Sequence, residues 1–237
     1  MARLKLDDIP RRSFVHRKLE AAGANFAALR DSAIAADFGD TAAETATAHQ
    51  LGLTDLSPAA RCGFKGGGSV AWLIKQGLAL PEENNRARRQ DEGGLVARLS
   101  DSEFLLLAAG EGSEAGLQKL NEAWLADRET GGEAQGYALP RQDSHAWFRL
   151  TGEKWPQTLA KLCAVDLRAS KFPNGSVAQT VAARVTVIVI RDDIKDLLSY
   201  HLLTDSASAA YLWDCLLDAM AEFGGRPVGL SALKSLA

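Results

Sequence analysis

The feature that most constrains this chain is an order of elements that occurs twice. Phe64-Lys65-Gly66 leads into an apolar stretch containing Trp72 and Leu73, and Leu150-Thr151-Gly152 leads into one containing Trp155 and Leu159. Each copy reads strand, glycine turn, helix, loop, two strands, helix. Glycine at the turn admits backbone that a side chain would block. A helix that begins so soon after a strand must fold back over the sheet. The repeat therefore predicts an α+β fold of two similar split β-α-β, ferredoxin-like units, with antiparallel sheets and helices over one face. The expected divisions are residues 1–45 as an N-terminal arm and irregular segment, 46–135 as the first α+β unit, and 136–237 as the second unit with the C-terminal helix.

Local signals fill in this plan. Val70, Leu73 and Ile74 give a helical stripe from Ser69, the expected N-cap, to about Gln76, where Gly77 stops it. Leu95 to Leu99 and Glu103 to Ala108 read as strands joined by Ser100-Asp101-Ser102. Leu117, Leu120, Trp124 and Leu125 mark a helix over 113–128. Ser176 to Arg191 reads mostly as strand. Ser206 to Phe223 is the strongest helix, with Asp205-Ser206 as its cap. Residues 81–94 read as a polar loop, and 33–50 show no clean period. With aromatic residues at 7%, the expected core is aliphatic.

Charge narrows the partners. The chain carries 27 basic and 30 acidic residues, a formal net charge of -3. That balance lacks the strongly positive face a phosphate backbone or an anionic membrane surface requires, so neither nucleic acid nor membrane is expected as a partner. The N-terminal stretch MARLKLDDIPRRSF is charged and has no apolar run, so no signal peptide is expected. The longest apolar run, Val185 to Ile190, is strand-length, and the cytoplasm is the expected location. Cys62, Cys163 and Cys215 stand far apart among apolar neighbours and read as reduced core thiols, with no metal-ligand spacing.

No G-x-G-x-x-G or Walker sequence is present. Gly66-Gly67-Gly68 before Ser69 reads as a tight turn rather than a phosphate cradle. His16, His49, His145 and His201 form no catalytic or metal motif, and read as solvated or structural. Asp91 and Glu92, before Gly93-Gly94, are the candidate catalytic pair. Paired carboxylates on a loop can orient an amine or share a proton, whereas the plainer reading is a solvated loop. Arg86, Arg88 and Arg89 face either an anionic ligand, a partner's carboxylates, or solvent.

The wording of the second half adds a resemblance. Asp166-Leu167-Arg168, Phe172-Pro173-Asn174-Gly175 and Ala178-Gln179-Thr180, followed by YHLLTDSASAAYLWDCLLDAMAEFGG, resemble the sarcosine oxidase gamma-subunit family. Leu53-Thr54-Asp55-Leu56-Ser57 and LSDSEFLLL from Leu99 are similar to elements of the wider folate-dependent aminomethyltransferase superfamily, which includes the glycine-cleavage T protein. The resemblance covers about residues 45–225. It implies an aminomethyltransferase folate-binding-like fold and a gamma-type assembly role in a heterotetrameric, sarcosine-demethylating complex. The implied partners are that complex's flavin- and folate-bearing subunits. It implies no cofactor bound by this chain alone, with tetrahydrofolate the one cofactor it admits. Asp91-Glu92 is the nearest match to the T protein's catalytic Asp-Asp pair. Arg98, the arginine of the following strand, and Arg168, within the gamma-like signature, are the candidate cofactor-binding residues. Lys171 precedes Phe172 where the iron-sulfur-associated folate proteins carry glycine and cysteine. A stand-alone folate-dependent transferase and a scaffold that kept the fold without the ligand are the alternatives. The segment 166–179 is expected to be ordered, anchored by Leu167 and Phe172.

Overall fold

The computed structural model describes residues 9–109 and 111–237. In chain order the elements begin β1 (Arg11–Arg12), α1 (His16–Ala21), β2 (Asn25–Leu29), β3 (Ser32–Asp37), α2 (Thr41–Leu51), β4 (Gly52–Asp55) and β5 (Arg61–Lys65). They continue with α3 (Ser69–Lys75), β6 (Arg86–Arg89), β7 (Leu95–Ser100), β8 (Glu103–Leu107), α4 (Glu111–Glu129), β9 (Tyr137–Leu139) and α5 (Arg141–Ser144). The last part holds β10 (His145–Thr151), α6 (Trp155–Leu159), β11 (Val177–Ala182), β12 (Val185–Arg191), β13 (Ser199–Asp205), α7 (Ala209–Ala221), β14 (Arg226–Pro227) and α8 (Leu230–Ser235). The α+β class is as expected, and no helix among the described residues is long and apolar enough to cross a membrane.

The chain forms two compact units that interleave along the sequence. Unit 1 holds residues up to 58, 145–174 and 178–237, and unit 2 holds 59–144 and 175–177. Unit 2 thus contains most of the expected 46–135 segment, and unit 1 most of the expected 136–237 segment together with the N-terminal region.

Unit 1 is built on a six-stranded sheet in the order β11-β12-β13-β10-β4-β14, beside a three-stranded sheet β1-β3-β2. β10 and β13 pair antiparallel over their full lengths, from His145↔Asp205 to Thr151↔Ser199. Alternation along these strands sends Phe148, Leu150, Tyr200 and Leu202 to one face, where Trp155, Leu212, Trp213 and Leu216 of α6 and α7 cover them. Phe148 and Trp213 meet edge to face, with ring centroids 5.3 Å apart. Unit 2 is a five-stranded antiparallel sheet, β6-β7-β8-β5-β9. Phe64, Trp72 and Trp124 form its aromatic centre, with centroids 4.9–5.6 Å apart.

The doubled glycine turn is present in both units. Gly66 and Gly152 sit at φ +143 and +117. A Cβ at Gly66 would lie 2.4 Å from the Gln135 carbonyl oxygen, and one at Gly152 would lie 2.3 Å from the Gln50 carbonyl. Both positions need glycine for space as well as for φ.

Several expectations are corrected. All five tryptophans are fully buried, so each core is centred on indole rings rather than aliphatic throughout. A few large rings supply so much apolar area that a low aromatic content does not make an aliphatic core. The N-terminal region after residue 9 is a helix and a β2–β3 hairpin followed by α2. The 81–94 loop contains β6, whose four residues pair with β7. Ser69 does not cap α3; its hydroxyl donates to the carbonyls of Gly66 and Ser102 instead. The 176–191 strand is two strands, turned at Ala183 and Arg184, which both adopt positive φ. Two short pairings, β1–β3 and β4–β14, are parallel.

Candidate functional site

A cleft of about 500 Å3 opens in unit 2, lined by α4, the β6–β7 hairpin and the loop that follows α3. Its floor is apolar, with Leu95 and Leu106 from the sheet, Leu117 and Leu120 from α4, and Leu78 from the loop. Asp91, Glu92, Gln90, Gln76, Ser113 and Lys119 bring polar side chains to it. The hairpin tip is held by Gln90 N–H to the Gly94 carbonyl at 2.7 Å and by Gly93 N–H to the Gln90 carbonyl at 2.8 Å. Gly93 takes φ +86 there, which is why the sequence turns on Gly93-Gly94. The Gln90 amide is committed to Ala79, accepting from its N–H and donating to its carbonyl, both at 2.9 Å. The Ser113 hydroxyl accepts from Ala109 N–H at 2.8 Å.

Asp91 and Glu92 therefore stand together, exposed, on a fixed turn at the cleft. Neither they nor Lys119 take part in an ion pair or side-chain hydrogen bond among the described residues. A Cβ added at Gly116 of α4 would lie 3.9 Å from Glu92 Oε2, so the Glu92 carboxylate reaches from the hairpin to the helix.

The two candidate arginines are elsewhere. Arg98 of β7 does not line the cleft. Its Nη1 donates to the carbonyls of Pro81 and Glu82, at 3.2 and 2.8 Å, and its Nη2 to the carbonyl of Asp101 at 3.2 Å. The guanidinium also lies over the Phe104 ring, 5.7 Å from its centroid. Arg98 thereby ties the chain before β6 to the β7–β8 turn. Arg168 belongs to unit 1, is exposed, and pairs with Asp166 through Nη2 at 2.6 Å and Nε at 2.9 Å. Hydrogen bonding to Arg168 pulls the Asp166 carboxyl down to about 2. In β6, Arg86 meets Glu83 at 3.5 Å and donates to the Ser176 hydroxyl at 3.1 Å.

A buried ionic cluster in unit 1 escaped the sequence reading. The register aligns Arg149 of β10 with Thr54 of β4 on one side and His201 of β13 on the other. All three point away from the α6–α7 face. Asp192, just after β12, accepts from Arg149 Nη1 at 3.3 Å and from His201 Nε2 at 3.1 Å through the same Oδ2. Arg149 Nη2 donates to the Asp192 carbonyl at 2.5 Å. Removing such charges from water is costly unless each is paired, and here cation and anion face one another. The visible signal was a charged or polar residue in the middle of the apolar strands HAWFRLT and SYHLLTD.

Comparison with known proteins fixes the family. The model of the GCVT N-terminal domain matches residues 85–237. An aminomethyltransferase from Saccharopolyspora erythraea is 28% identical over 239 residues, covering 96% of this chain and 63% of that protein. One from Streptomyces avermitilis is 28% identical over 198 residues, covering 79% of this chain and 51% of that protein. The chain thus spans about half to two thirds of the length of these relatives. Among solved structures, aminomethyltransferase T of the glycine cleavage system from Bartonella henselae superposes with a TM-score of 0.73 at 18% identity, over 95% of this chain and 61% of that one. A chain of the heterotetrameric sarcosine oxidase from Corynebacterium sp. U-96 superposes with a TM-score of 0.61 at 23% identity, over 80% of this chain and 95% of that one. At those identities the two superpositions establish the aminomethyltransferase-like fold, while the sequence match, which covers well over half the chain, establishes descent: the chain belongs to the GCVT N-terminal domain family.

Proposed function

We propose that the chain is a gamma-type assembly subunit of a heterotetrameric sarcosine oxidase-like, amine-demethylating complex, whose larger subunits carry the flavins and the folate. One observation carries this reading. Arg98, the arginine expected beside a cofactor, commits its guanidinium to three main-chain carbonyls and so acts as a brace. The likeness to a chain of the Corynebacterium oxidase, covered over 95% of its length, supports the same assignment.

The lining of the unit 2 cleft supports the same reading. Among the described residues no aromatic side chain lines the cleft, so a flat heterocycle finds no ring to stack on. In this reading tetrahydrofolate is held by the partner subunits. Titration of the purified chain with tetrahydrofolate is expected to give no saturable binding. Saturable binding that is lost in Asp91→Ala/Glu92→Ala would overturn the reading in favour of a folate-dependent transferase.

A further inference from the structure

We infer that the outer edge of β2 in unit 1 is a docking edge for an extended, uncharged strand of a larger partner subunit, which adds to the β1-β3-β2 sheet. The inference rests on the assembly role proposed above and names a contact through which the chain is held. Three observations carry it.

The first is a set of open backbone groups. β2 and β3 are joined by the two-residue turn Arg30-Asp31, and their register runs from Leu29↔Ser32 to Phe26↔Ala35. In a hairpin of this length the residues flanking the turn exchange hydrogen bonds, and bonded pairs then alternate along the strands. Leu29 and Ala27 therefore bond to β3, while Phe26 and Ala28 turn their N–H and C=O groups away from it. Among the described residues nothing pairs with those outward groups.

The second is the contrast with the other sheet edges. An open edge invites pairing with another chain, and proteins ordinarily blunt it with charge, proline, brevity or a cover. β1 is two arginines, β14 is two residues ending in Pro227, and β9 is three residues followed by Pro140. β6 carries three arginines and bonds outward from Ala87 N–H to the Gly175 carbonyl. β11 is bridged at Ala182 by Cys163. β2 has none of these protections over its five residues: Asn25-Phe26-Ala27-Ala28-Leu29 holds neither charge nor proline, and Ala28 is exposed. The one irregularity in its pairing lies at its Asn25 end.

The third is size, which selects the occupant. Five residues of strand run about 17 Å. Pairing along that length buries far less than the roughly 1,000 Å2 that a stable interface between free proteins needs, so a second copy does not hold on this edge alone. A strand of a subunit already docked elsewhere on the chain is presented at high effective concentration and needs no such area. Main-chain bonds supply the attraction, and the neutral edge selects the strand. A charged side chain laid beside Phe26 or Ala28 loses water and meets no opposite charge on β2.

Residue-resolved hydrogen exchange of the full-length chain tests this, with the chain alone and co-purified with the flavin- and folate-bearing subunits of a sarcosine oxidase-like complex. In the isolated chain the Phe26 and Ala28 amides are expected to exchange freely while those of Ala27 and Leu29 are protected. In the assembly the Phe26 and Ala28 amides are expected to slow at least about 100-fold. Ala28→Pro removes an outward N–H and no β2–β3 bond, and Ala28→Lys adds a charge with the backbone intact. Each is expected to leave the melting temperature of the isolated chain within about 2 °C and to weaken assembly at least about tenfold. An assembly in which both amides exchange as fast as in the isolated chain, or one that tolerates Ala28→Lys, overturns the inference and leaves the assembly role standing. Slowing of both amides in the isolated chain as its concentration is raised overturns it in favour of a second copy. Failure of the unmodified chain to assemble overturns the role and the inference together.

Discussion

Trp147 donates its indole Nε1–H to Nδ1 of the buried His201 at 3.0 Å, which favours the tautomer with its lone pair on Nδ1. An indole N–H can only donate, so Nδ1 must present its lone pair. Nε2 meets both Asp192 Oδ2, at 3.1 Å, and Arg149 Nη1, and with the ring proton on Nε2 the carboxylate is its acceptor. Nitrogen NMR of the folded chain is expected to show the Nε2-protonated form alone. Trp147→Phe removes the donor but keeps an apolar ring, and urea unfolding is expected to register a loss of about 1–3 kcal/mol. A mixture of tautomers in the unmodified protein would contradict the arrangement.

The fold was legible where periodicity and turn chemistry agree. α4, α7 and the β7–β8 hairpin all carry apolar stripes bounded by turn residues. The β2–β3 hairpin was not legible because its turn uses Arg30 in the left-handed region, a position normally flagged by glycine. α2 was obscured because Ala and Thr dominate it, and Ala48 packs against Val228, Ala232 and Leu236 by closeness rather than by bulk. At the candidate site, the turn that carries Asp91-Glu92 is marked in the sequence by Gly93-Gly94. The role of Arg98 was not legible, because its acceptors are carbonyls, which every residue carries. The cluster at Arg149 spans up to 52 residues of sequence and exists only through strand register.

Glu44 is a buried carboxylate of α2 that joins two distant backbone segments of unit 1. Its Oε1 accepts from Phe38 N–H and its Oε2 from Gly229 N–H, both at 2.7 Å. Glu44→Gln must turn an NH2 toward one of these donors and leave a buried N–H unpaired. The expected loss is about 1–3 kcal/mol, measured by denaturant titration. An unchanged midpoint would show that the staple contributes nothing net.

Arg191 organises the turn at 169–174. Its Nη1 donates to the carbonyls of Ala169 and Phe172, at 3.1 and 2.8 Å, while Nε and Nη2 grip Asp193. Tyr200 adds a hydroxyl bond to the Leu167 carbonyl at 2.6 Å, and burial pushes its phenol pKa up. Leu167 and Phe172 are buried, as the sequence led one to expect. Arg191→Ala is expected to speed hydrogen exchange of the Lys171 and Phe172 amides, while the β10–β13 ladder stays protected. Equal acceleration in both places would mean global destabilisation rather than a local brace.

The three thiols should separate by reactivity. Cys62 and Cys163 are buried, and Cys215 is half-buried. Burial pushes the Cys62 thiol up to about 12, against about 8.5 for a free thiol. A raised folded-state value gives stability that is fully present below the unfolded value and is lost as pH rises toward about 12. Cys62→Ala is therefore expected to flatten the alkaline decline in stability. Under native conditions a thiol-specific chromophore should label Cys215 well before Cys62. Labelling of Cys62 at the rate of Cys215 would contradict its burial.

The proposed role of this chain is assembly into an amine-demethylating complex rather than catalysis on its own. The direct measurement is size-exclusion chromatography of the chain co-expressed with the flavin- and folate-bearing subunits of a sarcosine oxidase-like complex, with sarcosine demethylation assayed across the profile. The expected result is one co-eluting assembly that contains this chain and holds the activity, and loss of that assembly when the chain is omitted. Elution of the chain by itself, with the remaining subunits assembled and fully active, would contradict it.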